Sequence, residues 1–295
     1  MTPAKVTCVI PTHLRDELCL RALQSVLAQT VPVHEVIVVD DSRRDPQRAS
    51  IKSVQDADAR VRVLNHENVD KSASSSRNAG ARAATGDVLA FLDDDDIWRP
   101  GFLERVLVPL ARPGIDMAVA WGAIRFDGGL FEDQIKMTPD ATATETYARN
   151  IGLTGSNFAI KREAFEAIGG FDAHMVVWND LDFLNRFLES ARTYEVVESS
   201  LVEQDATDVA GNHLSSRGLR QAMGIGRYYD KYAGKMSFAQ KRAVKRRYHV
   251  AHLVPESGRP TYARHLAQAL IRTTPADVLA VIERRRLNMR YGREA

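Results

Sequence analysis

Four consecutive carboxylates, Asp93, Asp94, Asp95 and Asp96, follow directly on the apolar run Val88-Leu89-Ala90-Phe91-Leu92. Like charges at that spacing repel, so a fold that keeps them supplies a cation, protonates one of them or turns some into water. A second acidic pair, Asp40-Asp41, closes the apolar run Val36-Ile37-Val38-Val39, and Pro11-Thr12-His13 closes a third run, Val6 to Ile10. Mg²⁺ and Mn²⁺ take oxygen ligands of this kind, typically one or two carboxylates completed by phosphate oxygens and water. The pattern therefore points to a divalent cation arriving with a phosphorylated substrate. An EF-hand is a poor alternative, because Asp93 to Asp96 lack the alternating ligands, central glycine and closing glutamate of that loop. The sequence has no GxxxxGK[ST] loop, GxGxxG fingerprint, GxSxG elbow or HExxH pair. Phosphates would have to be met by metal and by basic side chains such as Arg77.

The elements that must position these groups are legible in the first half. Val6 to Ile10 reads as a buried strand, and Leu18, Ala22, Val26 and Leu27 share one helical face. Further strands are expected at 35–39, 61–64 and 88–92, with helices near 46–56 and 74–84. Continuous apolar strands alternating with helices predict an α/β fold, a mostly parallel central sheet with helices on both faces. Ligands of such sheets bind outside the carboxyl ends of the strands. The three polar clusters lie at those ends and are expected to open onto one crevice.

Beyond residue 115 the order loosens. A strand is expected over Met117 to Ile124, a loop-rich excursion over 132–150, and a short strand over Gly155 to Ile160 that enters a helix through Glu163, Ala164 and Phe165. Gly169-Gly170 stops that helix. Phe183, Leu184, Phe187 and Leu188 then mark an amphipathic helix, and from about 215 the pattern is helical and basic.

Six segments, in order, resemble glycosyltransferase family 2: Val9-Ile10-Pro11-Thr12, Ser25 to Thr30, Val36 to Ser42, Ser76-Arg77-Asn78-Ala79-Gly80 with Ala84-Thr85-Gly86, Phe91 to Asp96, and Gly169-Gly170-Phe171-Asp172. The resemblance covers roughly residues 5 to 190. It implies the GT-A fold, a Rossmann-like sheet, here with a helical C-terminal extension, and inverting transfer of a sugar from a nucleotide-diphosphate donor. By position, it implies that Pro11, Thr12 and Arg15 line the nucleoside pocket, that Asp41 faces the base with Asp40 nearby, and that Arg77 approaches the diphosphate or sugar. Asp93 and Asp95 correspond to the family's DxD element, with Asp95 the direct ligand of Mn²⁺ or Mg²⁺. Asp94 occupies the variable position, on the nucleotide-sugar side, and Asp96 packs locally.

The family's base lies in a Glu-Asp pair shortly after the GGFD turn. Here that pair is Asn179-Asp180, which implies Asp180 as catalytic base, with Asp182 as the fallback. An N-cap role is the structural alternative for Asp180. In some related enzymes a histidine beyond the base reaches the metal, a role His213 is placed to take. Trp178, beside Asp180, stacks on an acceptor sugar or packs, and Asn179 joins it on the acceptor side. Trp98 is expected to pack.

Composition bounds the rest. The 295 residues carry 44% apolar residues and a net charge of +2, an ordinary soluble balance that gives no sign of nucleic-acid binding. Cys8 and Cys19 read as buried thiols of a reduced cytoplasmic protein. The first residues enter a strand-like run too short for a signal sequence or a membrane span. The expected division is a transferase domain over 1–214, with a nucleotide-binding half to 112 and an acceptor half from 113, followed by a basic helical region over 215–295. The cluster Lys241 to Arg247 is open to three readings: a peripheral contact with the inner membrane face, a homodimer contact, or a solvated helix face. The donor is expected to be UDP- or dTDP-linked, the acceptor a carbohydrate, a lipid-linked molecule or a small molecule, and the role polysaccharide or glycoconjugate synthesis. Two competing readings are a non-catalytic nucleotide- or metal-binding relative, raised by Asn179, and a nucleotidyltransferase, disfavoured because Pro11 to Arg15 contain no glycine.

Overall fold

The computed structural model describes residues 4–42, 45, 49–67, 72–126, 129–206, 218–253 and 259–279. Its first half follows the strand-helix alternation: β1 (Val6–Thr12), α1 (Asp16–Leu27), β2 (Glu35–Asp40), α2 (Ala49–Gln55), β3 (Val61–Asn65), α3 (Ala73–Ala83) and β4 (Val88–Phe91). These strands pair in the order β3-β2-β1-β4, all parallel. Both faces of β1 are buried, with Cys8 and Ile10 packing into one core and Val9 into another. A continuous apolar strand is what that double burial requires. Cys8 and Cys19 are free, buried thiols.

The second half completes the sheet with β5 (Ile97–Trp98), α4 (Phe102–Leu110), β6 (Met117–Phe126), β7 (Gly129–Ile135), α5 (Ala143–Thr146), β8 (Phe158–Lys161), α6 (Arg162–Ala167), α7 (Asn179–Glu189) and β9 (Tyr194–Asp205). β8 runs antiparallel between β4 and β6, and the long β6–β9 pairing is parallel. Part of the stretch expected to be loop is in fact β7 and α5, whose capping box joins Thr142 and Glu145. β9 was not anticipated, because only Val197 and Val202 of its twelve residues are buried and its pattern is mostly polar.

Two cores flank the sheet. One holds α1, α2 and α4 residues; the other is an aromatic cluster of Phe91, Phe158, Phe165, Phe171 and Phe183 beneath α3, α6 and α7. α3 lies unusually close to the sheet at Gly80, where any Cβ would overlap the Val9 side chain. That close approach brings Ser76 and Arg77, one turn earlier, over the ends of the strands. Trp98 packs as expected, stacked on Phe102 at 4.3 Å with Nε1 donating to the Ser156 carbonyl at 2.8 Å.

The helices α8 (Leu219–Tyr232), α9 (Phe238–Ala251) and α10 (Arg259–Ile271) follow. α8 shares a third core with α7 through Leu181, Ala222, Ile225, Tyr228 and Tyr232. Tyr228 accepts from Asn185 Nδ2 at 2.6 Å and donates to the Tyr147 carbonyl at 3.0 Å. The basic run at 241–247 does not form one free cationic face. Lys245 lies over the Tyr229 ring, Arg246 pairs with Asp277 at 2.9 Å, and Arg247 lies over Trp178 while donating to the Ala148 carbonyl.

Candidate active site

The polar ends of β1, β2 and β4 are joined into one network, as the strand-end argument requires. Asp41 N donates to the Thr12 carbonyl at 3.2 Å, and the Asp41 carboxylate meets His13 Nδ1 at 2.6 Å and Ser76 Oγ at 2.8 Å. Thr12 Oγ1 donates to Asp94 Oδ2 at 2.8 Å, and Arg15 Nη1 reaches Asp94 Oδ1 at 3.3 Å and Asp95 Oδ2 at 2.8 Å. Pro11 is buried in β1 beside Thr12. Asp40 is buried as well, and its Oδ1 accepts from Ser42 N at 3.0 Å, which shapes the turn that presents Asp41.

The four aspartates separate into distinct environments. Asp94 and Asp96 are buried, while the side chains of Asp93 and Asp95 keep 31% and 20% of their exposure. Burial, with Asp95 alongside, pushes the Asp94 carboxyl up to about 7. Burial also raises Asp96 well above the usual carboxylate range, with Asp93 and Asp95 adding to it. Asp96 accepts from Gln204 Nε2 at 3.2 Å and Asp205 N at 3.3 Å, so it packs against β9. The repulsion within the run is thus met in two ways: burial favours the neutral form of Asp94 and Asp96, and arginines pair with Asp93 and Asp95.

Arg77 is the centre of the other side. Its side chain is 3% exposed, Nη2 bonds Asp93 Oδ1 at 2.5 Å, and Nη1 lies 3.9 Å from Asp180 Oδ1. Arg77 Nε and Nη1 and Asp180 Oδ1 are buried atoms with no hydrogen-bond partner. Leaving buried charged groups unsatisfied costs several kcal/mol in general, and such groups mark places where water, an ion or a ligand completes the bonding. Burial lifts the Asp180 carboxyl to about 6; Arg77 opposes that rise and Asp93 adds to it.

Asp180 sits in the first turn of α7 without capping it; the helix begins after Trp178, a bulky residue in the left-handed region at φ 57°. A non-glycine residue there stores strain, and such strain gathers at functional sites. The Trp178 ring packs edge-on to Tyr228 at 5.1 Å, and the Asn179 side chain accepts from Asp180 N at 2.8 Å. Asp182, the fallback base, is fully buried and held by Arg186, Lys231 and Tyr232 at 2.9, 2.6 and 2.9 Å. Its partners are all structural, and Asp180 alone of the pair faces Arg77. His213 lies outside the described residues.

Gly155, the expected start of a strand that in the structure begins at Phe158, is part of the site. A Cβ there would overlap Arg77 Nη2 and stand 2.9 Å from Asp93 Oδ2. Glycine in the turn before β8 leaves the room that this close approach needs. Gly155→Ala is expected to break the Arg77–Asp93 contact, lowering the melting temperature and raising donor KM; a calorimetric scan with steady-state kinetics measures both. Ser156 also went unnoticed: its Oγ accepts from Asp93 N at 3.0 Å and fixes the start of the acidic run.

As a metal donor set, Asp93 and Asp95 are oxygen ligands suited to Mg²⁺ or Mn²⁺. Among the described residues no three Asp, Glu, His or Cys side chains converge into a ready-made cage. Two partly exposed carboxylates fit a cation whose remaining ligands come from phosphate and water.

Acidic side chains gathered at the carboxyl ends of parallel strands occupy the place where α/β sheets bind their ligands. Residues 7–169 match the model of glycosyl transferase family 2, more than half of the chain, and the protein belongs to that family. It is 31% identical over 188 residues to an uncharacterized glycosyltransferase of Haemophilus influenzae, covering 62% of each chain. It is 34% identical over 187 residues to the glucosyl-dolichyl phosphate glucuronosyltransferase of Haloferax volcanii, covering 58% of this chain and 56% of the relative. The chain thus spans less than two thirds of these relatives. Among solved structures, the mannosyltransferase PcManGT of Pyrobaculum calidifontis, in complex with GDP-Man and Mn²⁺, superposes with a TM-score of 0.59 at 16% identity, over 98% of this chain and 81% of that one. The fold is the GT-A fold.

Proposed function

We propose that this protein is an inverting glycosyltransferase that moves a sugar from a nucleotide-diphosphate donor to an acceptor hydroxyl. The observation that carries this reading is the pairing of Arg77 with Asp180, whose facing atoms are buried and unpartnered beside the partly exposed Asp93. In the proposed roles, Thr12, Arg15 and Asp41 hold the nucleoside, Arg77 meets the diphosphate or sugar, and Asp93 and Asp95 hold Mn²⁺ or Mg²⁺. Such a cation supplies charge stabilisation for the departing diphosphate.

Asp180 takes the proton from the acceptor hydroxyl as that oxygen attacks. A carboxyl near pH 6 is poised for this, since it is ionised at neutral pH yet basic enough to accept a proton. The buried guanidinium of Arg77 keeps Asp180 charged before the reaction and Asp93 oriented. Residues 1–112 form the donor half and 113–214 the acceptor half, with the helices after 215 closing the acceptor side around Trp178 and Asn179. A lipid-linked acceptor is supported by the Haloferax relative, which is named for a dolichyl phosphate. No helix among the described residues is long and apolar enough to cross a membrane.

The test is a thermal-shift screen of nucleotide-diphosphate sugars with and without Mn²⁺. One donor is expected to raise the melting temperature only when Mn²⁺ is present, because a ligand selecting the folded state stabilises it by mass action. Asp93→Asn and Asp95→Asn are expected to remove the Mn²⁺-dependent part of that shift. No shift with any donor would overturn the reading.

A further inference from the structure

α10 presents two unlike sides. Inward, His265 and Ala269 are buried; His265 stacks on His252 at 4.0 Å, and its Nδ1 lies 2.9 Å from His249 Nδ1. These contacts fix the helix on α9 and so fix what faces out. Outward lie Tyr262, Ala263, Leu266, Ala267, Leu270 and Ile271, all exposed, Leu270 at 63% and Ile271 at 75%. At about 100° per residue these six cover roughly half of the helix circumference. Further along the chain Val278 and Leu279 are exposed as well, at 48% and 64%. A contiguous apolar face of this kind on a folded protein marks an interaction site.

Charge identifies the partner. Arg264 borders the apolar arc and Arg242 is exposed on the neighbouring helix. Over 218–279 the acidic residues are Asp230, Glu256 and Asp277, against many arginines and lysines, and Asp277 is already paired with Arg246. Residues 280–295 add five arginines against two glutamates. A second copy, or the arginine-rich 280–295 segment, would bring like charges onto this rim. An anionic bilayer removes the apolar face from water and attracts the rim together.

We propose that the outward face of α10 docks this protein onto an anionic lipid bilayer, with Tyr262, Leu266, Leu270 and Ile271 entering the headgroup boundary and Arg242 and Arg264 meeting lipid phosphates. The proposal goes beyond the sugar-transfer reading and does not depend on it.

The experiment is co-sedimentation of the full chain with vesicles of phosphatidylcholine alone or mixed with phosphatidylglycerol. Binding to the mixed vesicles, weakened by salt, is expected. Leu266→Glu with Leu270→Glu lowers the partition by at least about tenfold, and Arg264→Ala lowers it by about fivefold on anionic vesicles alone. Both positions of the double variant are exposed, so its melting temperature and its donor-induced thermal shift stay at the wild-type values. If the double variant folds poorly, Arg264→Ala decides. The proposal is overturned if the wild type stays in solution with anionic vesicles, if both variants bind as well as it does, or if the double variant abolishes a wild-type dimer while vesicle binding persists.

Discussion

Asp180→Asn lowers turnover by about 10²–10⁴-fold, the usual contribution of a positioned general base, while the donor still raises the melting temperature. Asparagine keeps the volume and removes the proton-accepting charge, so a loss confined to turnover separates chemistry from folding. The wild-type pH profile carries the same information. Asp180 must be ionised to accept a proton, its carboxyl is lifted by burial to about 6, and activity therefore falls as pH drops through 6. The acid limb of kcat/KM is expected near pH 6 rather than near 4, where an ordinary exposed carboxylate would put it. In Asp180→Asn that limb disappears from whatever activity remains. Unchanged turnover in this variant would remove Asp180 from the mechanism. A wild type that binds donor without turnover would instead support the scaffold reading raised by Asn179.

How much of this was legible depended on where each signal lies along the chain. β1, β2 and β4 were readable because both faces of each are buried and the sequence is continuously apolar. That their polar carboxyl ends come together followed from topology alone. β9 was illegible because most of its residues are half-buried and polar, with pairing supplied by β6 rather than by its own pattern. Asp180 and Asp182 were separable only in part. Their spacing puts them on different faces of a helix, but what neutralises Asp182 is Lys231, 49 residues away on α8. The basic cluster at 241–247 left three readings open in the sequence. The helix gives Lys245, Arg246 and Arg247 three intramolecular partners, which charge adjacency does not reveal, and leaves Arg242 exposed. The exposed apolar arc of α10 was hidden within a segment read simply as helical and basic.

Arg77→Met is expected to cost more than one ion pair. Methionine retains much of the bulk but leaves Asp93 without its 2.5 Å partner and Asp180 without the cation that opposes its protonation. Breaking a buried pair from one side costs about 3–5 kcal/mol in general. Asp93 is 31% exposed and can regain water, which holds the loss here to the lower end of that range or below it. The denaturant midpoint should fall accordingly. The second effect is on chemistry. With Arg77 gone, burial and the Asp93 charge act on Asp180 unopposed, so its carboxyl rises above 6 and more of it is protonated at pH 7. The acid limb moves to higher pH, and part of the activity lost at neutral pH returns in alkaline buffer. Arg77→Lys keeps a positive charge but not the planar fork, so it should hold the limb near pH 6 while still weakening donor binding. Simple misfolding would lower activity at every pH. A shifted limb in the methionine variant, restored by lysine, requires the guanidinium to set the charge state of Asp180, and an unshifted limb would show that the 3.9 Å approach carries no functional coupling.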